Sequence, residues 1–331
     1  MPLDARIVGA SAVVSYARSA LSQARNLVVV VGAGLSTSAG VPDFRSPDTG
    51  LYASLRAAGV EDPQEIFNAQ VFRDEPELFW SVAHLFFRSA CQPLLPTKTH
   101  GYLAALDAGG TLLRVYTQNV DGLEVAAGVT APRVVAAHGS FRFVRCGRSA
   151  CGAREASDAP RIAAAAAART VPTCTRPRCR GVMRPDVVFF GEPLVGGWTD
   201  RSAGDIATAD GVLVAGTSLS VAPLSTYHMR AREGVPRIFI NRYAAVVENG
   251  GVSAFDAVLL GEVDDIFSLL FGEEKCSDCD DDWEWIVDGS AARLVRRYKN
   301  DCASAGAGAG AGESDSKTKK TVSAKRRRGD V

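Results

Sequence analysis

The sequence predicts an α/β fold in which a Rossmann-like parallel sheet is covered by helices on both faces. Three observations carry that expectation. Seven short apolar runs, at 27–31, 112–117, 134–137, 187–190, 211–215, 237–240 and 257–260, are rich in Val, Ile and Phe and mostly flanked by Gly, Asn or Asp. Runs of this kind form strands buried on both sides. Patterns of helical period alternate with them, the rhythm of a parallel sheet. The first run, ending Val28-Val29-Val30-Val31, leads straight into Gly32-Ala33-Gly34. That is a tight strand-to-helix turn, of the kind that brings backbone N–H groups to a phosphate.

Taken in order, residues 1–25 place Val13, Val14, Ala17 and Leu21 on one helical face, so a first helix is expected there. Arg6, Arg18 and Arg25 with Asp4 make a poor transit peptide. The main domain is expected over 26–271, with two insertions. One, about 46–99, is helical and aromatic, with Phe67, Phe72, Phe79, Trp80, Phe86 and Phe87. The other, about 142–186, holds Cys146, Cys151, Cys174 and Cys179. Together they predict a smaller second domain. An acidic and amphipathic extension follows over 272–302, including the stretch 283–298. Residues 303–331 then read as a disordered Gly/Ala linker and a basic tail ending in Lys325-Arg326-Arg327-Arg328.

The 331 residues carry 37 basic and 37 acidic side chains, so no global field argues for nucleic acid or membrane. No apolar run approaches the roughly 20 residues that span a bilayer, and no membrane partner is expected. Eight cysteines without a secretory signal argue for a reducing compartment, where clustered thiols hold metal more often than they form disulfides. Two Cys-x4-Cys pairs, Cys146 with Cys151 and Cys174 with Cys179, offer four thiolates. That number closes a tetrahedral Zn²⁺ and leaves no open position for catalysis, so the metal is expected to be structural.

The opening turn is not that of a hydride-transfer enzyme. Thr37 stands where a dinucleotide fingerprint wants Gly or Ala, and no acidic residue closes the next strand about 20 positions on. The loop Pro42-Asp43-Phe44-Arg45-Ser46-Pro47 serves no core and reads as a cover over something anionic. His138, one of four histidines, ends an apolar strand just before Gly139. Ligands of α/β proteins gather at such strand ends, although a histidine there is more often structural than catalytic.

These pieces together resemble the sirtuins, the NAD-dependent protein deacylases. The resemblance runs through Gly32-Ala33-Gly34-Leu35-Ser36, Gly40-Val41-Pro42-Asp43-Phe44-Arg45-Ser46, Tyr116-Thr117-Gln118-Asn119-Val120-Asp121 and Ala137-His138-Gly139. It continues through the four cysteines, Val188-Phe189-Phe190-Gly191-Glu192, Gly216-Thr217-Ser218-Leu219 and Ile240-Asn241-Arg242, in the family's order. It implies that NAD is consumed and that one structural Zn²⁺ is held. His138 would be the base that takes a proton from a ribose hydroxyl, a task suited to an imidazole titrating near pH 6.5. Asn119 and Asp121 would surround the nicotinamide, with Gln118 on its ribose and Val120 beside them.

By the same resemblance Gly32, Ala33, Gly34, Ser36, Thr37, Asp43, Arg45 and Tyr52 would hold phosphate and ribose, and Phe44 would shield the reacting carbon. Gly216, Thr217 and Ser218 would reach the cofactor from a second turn, and Asn241, Arg242, Tyr243 and Val263 would line the adenosine end. Val188, Phe189, Phe190, Gly191 and Glu192 would receive an extended acyl-lysine peptide by strand addition. The implied reaction is lysine deacetylation yielding nicotinamide, O-acetyl-ADP-ribose and free lysine, with acetylated proteins such as histone tails as partners. Mono-ADP-ribosyl transfer from the same pocket and a catalytically silent chromatin-binding module are the alternatives. The basic tail reads as a nuclear import signal or a nucleic-acid arm, and points to the nucleus, with the cytoplasm as the alternative.

Overall fold

Val28 and Val30 face one side of the sheet while Leu27, Val29 and Val31 face the other, and all five are fully buried. A strand alternates its side chains between faces, so an unbroken valine run needs cover on both. The computed structural model of the chain supplies it. It describes residues 10–43, 50–87, 94–194, 198–244, 254–272, 283–288 and 291–296. Its strands are β1 (Leu27–Val31), β2 (Leu112–Thr117), β3 (Val134–Ala136), β4 (Gly139–Cys146), β5 (Arg154–Ala156), β6 (Met183–Val187), β7 (Gly211–Ala215), β8 (Arg237–Asn241), β9 (Ala257–Leu260), β10 (Trp283–Asp288) and β11 (Ala291–Arg296). The helices are α1 (Ala10–Gln23), α2 (Leu51–Ala57), α3 (Ala69–Asp74), α4 (Pro76–Val82), α5 (Lys98–Ala108), α6 (Leu123–Ala126), α7 (Pro160–Ala167), α8 (Trp198–Thr208) and α9 (Val263–Phe271).

The main sheet has the order β10-β11-β9-β8-β7-β1-β2-β3 and is parallel except for β10. Val13, Ala17 and Leu21 of α1, with Ile266, Phe267 and Leu270 of α9, cover the Val29 face. Trp198 and Ile206 of α8 cover the other with Tyr116 and Tyr227. Each Val, Leu, Ile or Phe side chain so enclosed contributes about 1.5–3 kcal/mol. The chain leaves β1 toward β2 and later returns on its opposite side as β7. The strand order therefore reverses at β1, and ligands of open α/β sheets bind outside the strand ends at such a point.

The two insertions form one lobe. A small antiparallel sheet, β5-β4-β6, carries the cysteines. Its Val144 and Met183 join Phe67, Phe72, Phe79, Trp80 and Phe189 in a single buried cluster. The Trp80 indole donates to the Met183 carbonyl at 3.0 Å, fastening the aromatic insertion to the cysteine module.

Two expectations from the sequence need correction. The apolar run 187–190 is not a strand of the parallel sheet. β6 ends at Val187, and the next residues form a strap that donates from Val188 N to His138 O and exchanges hydrogen bonds between Phe190 and residues 67 and 69. Phe189 is drawn into the aromatic cluster, and burial explains its hydrophobicity as well as a strand would. The sheet also does not stop at Phe271. In the stretch 283–298, expected as an amphipathic piece beyond the core, β10 and β11 make a hairpin whose β11 lies parallel beside β9, with Ala292 opposite Leu259. Residues 297–331, including the linker and basic tail, lie outside the described residues.

Candidate active site

The strand ends at the reversal point carry the expected turn residues, and the glycines there serve first to bring two turns together. Gly34 N donates to Gly216 O at 2.8 Å. A Cβ on Gly34 would stand 2.8 Å from Gly216 Cα, closer than real atoms approach. The turns after β1 and β7 therefore interlock, and any side chain at Gly34 would push them apart.

A second set of contacts ties the turn after β2 to both. Gln118 N donates to Val31 O at 2.9 Å, and the Thr217 hydroxyl donates to Gln118 Oε1 at 2.7 Å. Asn119 is buried, and its Nδ2 donates to Gly32 O at 3.1 Å and to Ser36 Oγ at 3.3 Å. The Ser36 hydroxyl, accepting there, donates to Asp121 Oδ2 at 2.7 Å, while Asp121 Oδ1 accepts from Leu123 N at 3.0 Å. Ser36 is fully enclosed. It links Asn119 to Asp121, and its hydroxyl orients the carboxylate.

His138 follows β3, and its Nδ1 lies 3.0 Å from the Gln118 carbonyl oxygen. A carbonyl only accepts, so this bond places a proton on Nδ1 and leaves the Nε2 lone pair available. Burial lowers the imidazole pKa below its ordinary value, and the bond to Gln118 offsets part of that. The neutral, basic form is thus favoured at neutral pH. Gly139 has φ +80°, and a Cβ there would sit 2.3 Å from Asp186 O. Only glycine lets β4 cross β6 this closely behind the histidine.

The other expected residues are distributed as follows. Ala33 and Thr37 flank the turn, and the Thr37 hydroxyl donates to Gly34 O at 3.2 Å. Leu51 N donates to Asp43 O at 2.6 Å, joining the two ends of the cover loop. Phe44 and Arg45 lie outside the described residues. Tyr52, on α2, and Val120 pack against the aromatic cluster. Ser218 is exposed beside Ser220, with 2.8 Å between their hydroxyls. At the far end Asn241 Nδ2 donates to Tyr243 O at 2.8 Å, and Arg242 grips Glu262 at 2.7 and 2.9 Å. Tyr243 is exposed, and Val263 is buried at the start of α9. In the peptide strap, Glu192 is held by Arg184 at 2.5 and 2.8 Å and accepts from Phe189 N. Its carboxylate fixes the strap, and Gly191 follows the half-exposed Phe190 at φ +89°.

Sequence reasoning missed two buried groups behind Asp121. His100 caps α5, its Nδ1 accepting from Thr97 N at 3.2 Å, so its neutral form carries the proton on Nε2. Glu124, on α6, is fully enclosed, and among the described residues neither of its oxygens nor His100 Nε2 has a hydrogen-bond partner. Donor atoms of His100, Asp121 and Glu124 lie within 4.8 Å of one another. Burial, with the Asp121 charge adding to it, pushes the Glu124 carboxyl up to about 7. One signal was available: His100 lies three residues after Thr97 at a helix start, a capping pattern.

A raised folded pKa favours the protonated form, so Glu124 contributes stability that is present below its ordinary value of 4.5 and is lost as pH rises through about 7. Glu124→Gln, neutral at every pH, is expected to remove that loss. Between pH 5 and 8 the wild type should lose on the order of 3 kcal/mol more than the variant. Urea midpoints across that range measure it, and parallel curves would reject the assignment.

The four cysteines meet in the second lobe. Cys146 Sγ lies 3.6 Å from Cys179 Sγ, and Cys151 Sγ lies 3.7 Å from Cys174 Sγ. A disulfide would need about 2.05 Å. Thiolates on a tetrahedron with Zn–S of about 2.3 Å stand about 3.8 Å apart. The sulfurs have the spacing of a closed tetrathiolate zinc site.

The model of the Sir2 family matches residues 32–223, which contain both the interlocked turns and the four thiols. The chain belongs to the Sir2 family. Similar proteins include the NAD-dependent protein deacetylase hst2-2 of Emericella nidulans, 40% identical over 72% of this chain and 65% of that protein. Mouse NAD-dependent protein deacetylase sirtuin-3 is 41% identical over 65% of this chain and 62% of its own length. The chain thus spans slightly less than two thirds of these curated relatives. Among solved structures, one described as the structural basis for the mechanism and regulation of Sir2 enzymes aligns with a TM-score of 0.66 at 26% identity, over 78% of this chain and 96% of that one. A Sir2 variant bound to ADP-ribose aligns at 0.64 and 30%, over 77% of this chain and 94% of its own. Among the described residues of this Sir2-family chain, no helix is long and apolar enough to cross a membrane.

Proposed function

We propose that this Sir2-family chain is an NAD-dependent protein-lysine deacetylase that releases nicotinamide, O-acetyl-ADP-ribose and free lysine. The observation that carries the reading is the Nδ1 bond of His138 to the Gln118 carbonyl, which presents Nε2 as a base at the strand end. NAD, when bound, supplies the electrophilic ribose carbon that an acyl oxygen attacks. The chain's own part is to hold and to move a proton. Asn119 and the Ser36-oriented Asp121 give the nicotinamide end fixed polar groups, and the preorganised network reorganises little during reaction. His138 Nε2 accepts the proton of a ribose hydroxyl, and the Gln118 carbonyl steadies the imidazolium that results.

The acetylated peptide would approach the strap at Val188 to Glu192. Val188 N and both backbone groups of Phe190 are already hydrogen-bonded within the chain. A peptide ladder there is therefore short, and the half-exposed Phe190 ring is available for its apolar contacts. Incubation with NAD and an acetylated histone peptide, followed by mass analysis of all products, tests the reading. O-acetyl-ADP-ribose and free lysine in equal amounts are expected. ADP-ribose attached to protein would favour the transfer reaction, and no NAD consumption would leave only a binding module.

Histones and other nuclear proteins are the proposed substrates, on the strength of the basic tail at Lys317, Lys319, Lys320 and 325–328. Deleting 313–331 is expected to move a tagged protein from nucleus to cytoplasm without changing peptide turnover. An unchanged location would remove the support for nuclear substrates.

A further inference from the structure

Charge that cancels over the whole chain does not cancel in the zinc lobe. Residues 142–186 contain ten arginines and no lysine against Glu155, Asp158 and Asp186. Arg145 and Arg154 share Asp186, Arg161 pairs with Glu155, and Arg184 is taken by Glu192. The other six, Arg142, Arg148, Arg169, Arg176, Arg178 and Arg180, are exposed and have no carboxylate partner among the described residues. A zinc ion with four thiolates carries two negative charges, so the lobe's excess of seven positive charges falls only to about five.

Four of those six are gathered by the metal site itself. Arg148, Arg176, Arg178 and Arg180 stand within two residues of Cys146, Cys174 or Cys179, whose sulfurs lie within 4.8 Å of one another. Cys151 N donates to Arg148 O at 2.9 Å, and Cys179 N donates to Arg176 O at 3.1 Å. The Arg176 guanidinium donates to the Cys151 carbonyl. Arg178 and Arg180 hold left-handed backbones at φ +64° and +50°, a region where glycine or asparagine is cheaper. Four arginines thus sit on the metal-binding knuckle with no acid paired to them among the described residues.

We propose that this arginine-rich zinc lobe binds the phosphate backbone of duplex DNA without reading its sequence. A guanidinium fork matches phosphate oxygens in a bidentate way that ammonium groups cannot. Single strands are a poorer fit, because they are held by exposed aromatic platforms. The exposed large apolar residues, Leu85, Leu95, Phe190, Met229 and Tyr243, all lie outside 142–186. Phe143, within the lobe, is covered by Arg154 at 3.7 Å. The inference rests on the lobe's charge and is independent of the reaction proposed above.

Fluorescence anisotropy with the full-length, zinc-loaded protein and a labelled random-sequence duplex of about 20 base pairs tests it across a salt series. Replacing Arg148, Arg176, Arg178 and Arg180 by Gln is expected to weaken binding at least tenfold. The slope of log K against log salt should fall by about 3.6, since each of the four phosphate contacts contributes about 0.9. Zinc content and thermal midpoint check folding, and Arg148→Gln and Arg178→Gln singly, each lowering the slope by about 1, serve if the quadruple variant fails. A variant with Lys325, Arg326, Arg327 and Arg328 all changed to Gln should retain the lobe-dependent slope. The proposal is overturned if the slope survives the lobe substitutions, or if it disappears with the tail alone. It is also overturned if the wild type ignores duplex DNA and captures an acidic peptide such as its own 278–284 segment.

Discussion

His138→Ala is expected to abolish deacetylation while leaving the fold and most NAD affinity in place. A positioned base contributes about 10²–10⁴-fold, so turnover should fall at least 100-fold. Among the described residues the side chain's one hydrogen bond goes to a backbone carbonyl, and its loss leaves the Asn119–Ser36–Asp121 chain intact. Because burial lowers the imidazole pKa, the base stays neutral at acidities that would charge an ordinary histidine. The acid limb of the wild-type pH–rate profile should therefore lie below about 6.5. Single-turnover rates with an acetylated peptide measure both. A variant within tenfold of wild type would remove His138 from the reaction, and an acid limb well above 6.5 would contradict the buried, carbonyl-bonded imidazole.

Cys146→Ser or Cys174→Ser is expected to release the metal and unfold the second lobe. Structural zinc contributes an apparent 10–16 kcal/mol to folding in zinc-finger peptides, and one lost thiolate breaks the closed tetrahedron. The damage should spread, because Cys146 and Cys174 belong to the same buried cluster as Phe79, Trp80 and Phe189. Metal content should drop from one zinc per chain toward none. An early unfolding step should appear in calorimetry, and peptide turnover should vanish because the strap at 188–192 hangs from β6. The parallel sheet has its own core and should persist as a later transition. Wild-type protein purified with well under one zinc per chain would overturn the assignment, as would a serine variant that keeps its metal and its single transition.

Much of this molecule is legible in its sequence because the signals are local. The doubly buried valine run of β1, the glycine turns after β1 and β7, and the Gln118-Asn119-Val120-Asp121 turn after β2 are each read within a few residues. The reason is that side-chain alternation and turn sterics act at that range. The two cysteine pairs are equally plain, since a zinc tetrahedron demands four ligands whatever surrounds them.

What the tertiary structure alone decided depends on strand order. Ser36 meets Asp121 across 85 residues only because β1 lies beside β2, and that contact joins the turns after the two strands. Gly34 owes its necessity to Gly216, brought against it because β7 pairs on the other side of β1. The run 187–190 and the hairpin 283–296 were misread for one reason. Hydrophobic patterning does not say which element a segment will join, and the aromatic lobe claimed Phe189 while the edge of β9 claimed β11 as a paired strand. Glu124 and His100 belong to the same class. The Thr97–His100 spacing marks a cap, but no local signal says that the Glu124 carboxyl and His100 Nε2 are shut behind Asp121, because enclosure is a property of the packed chain.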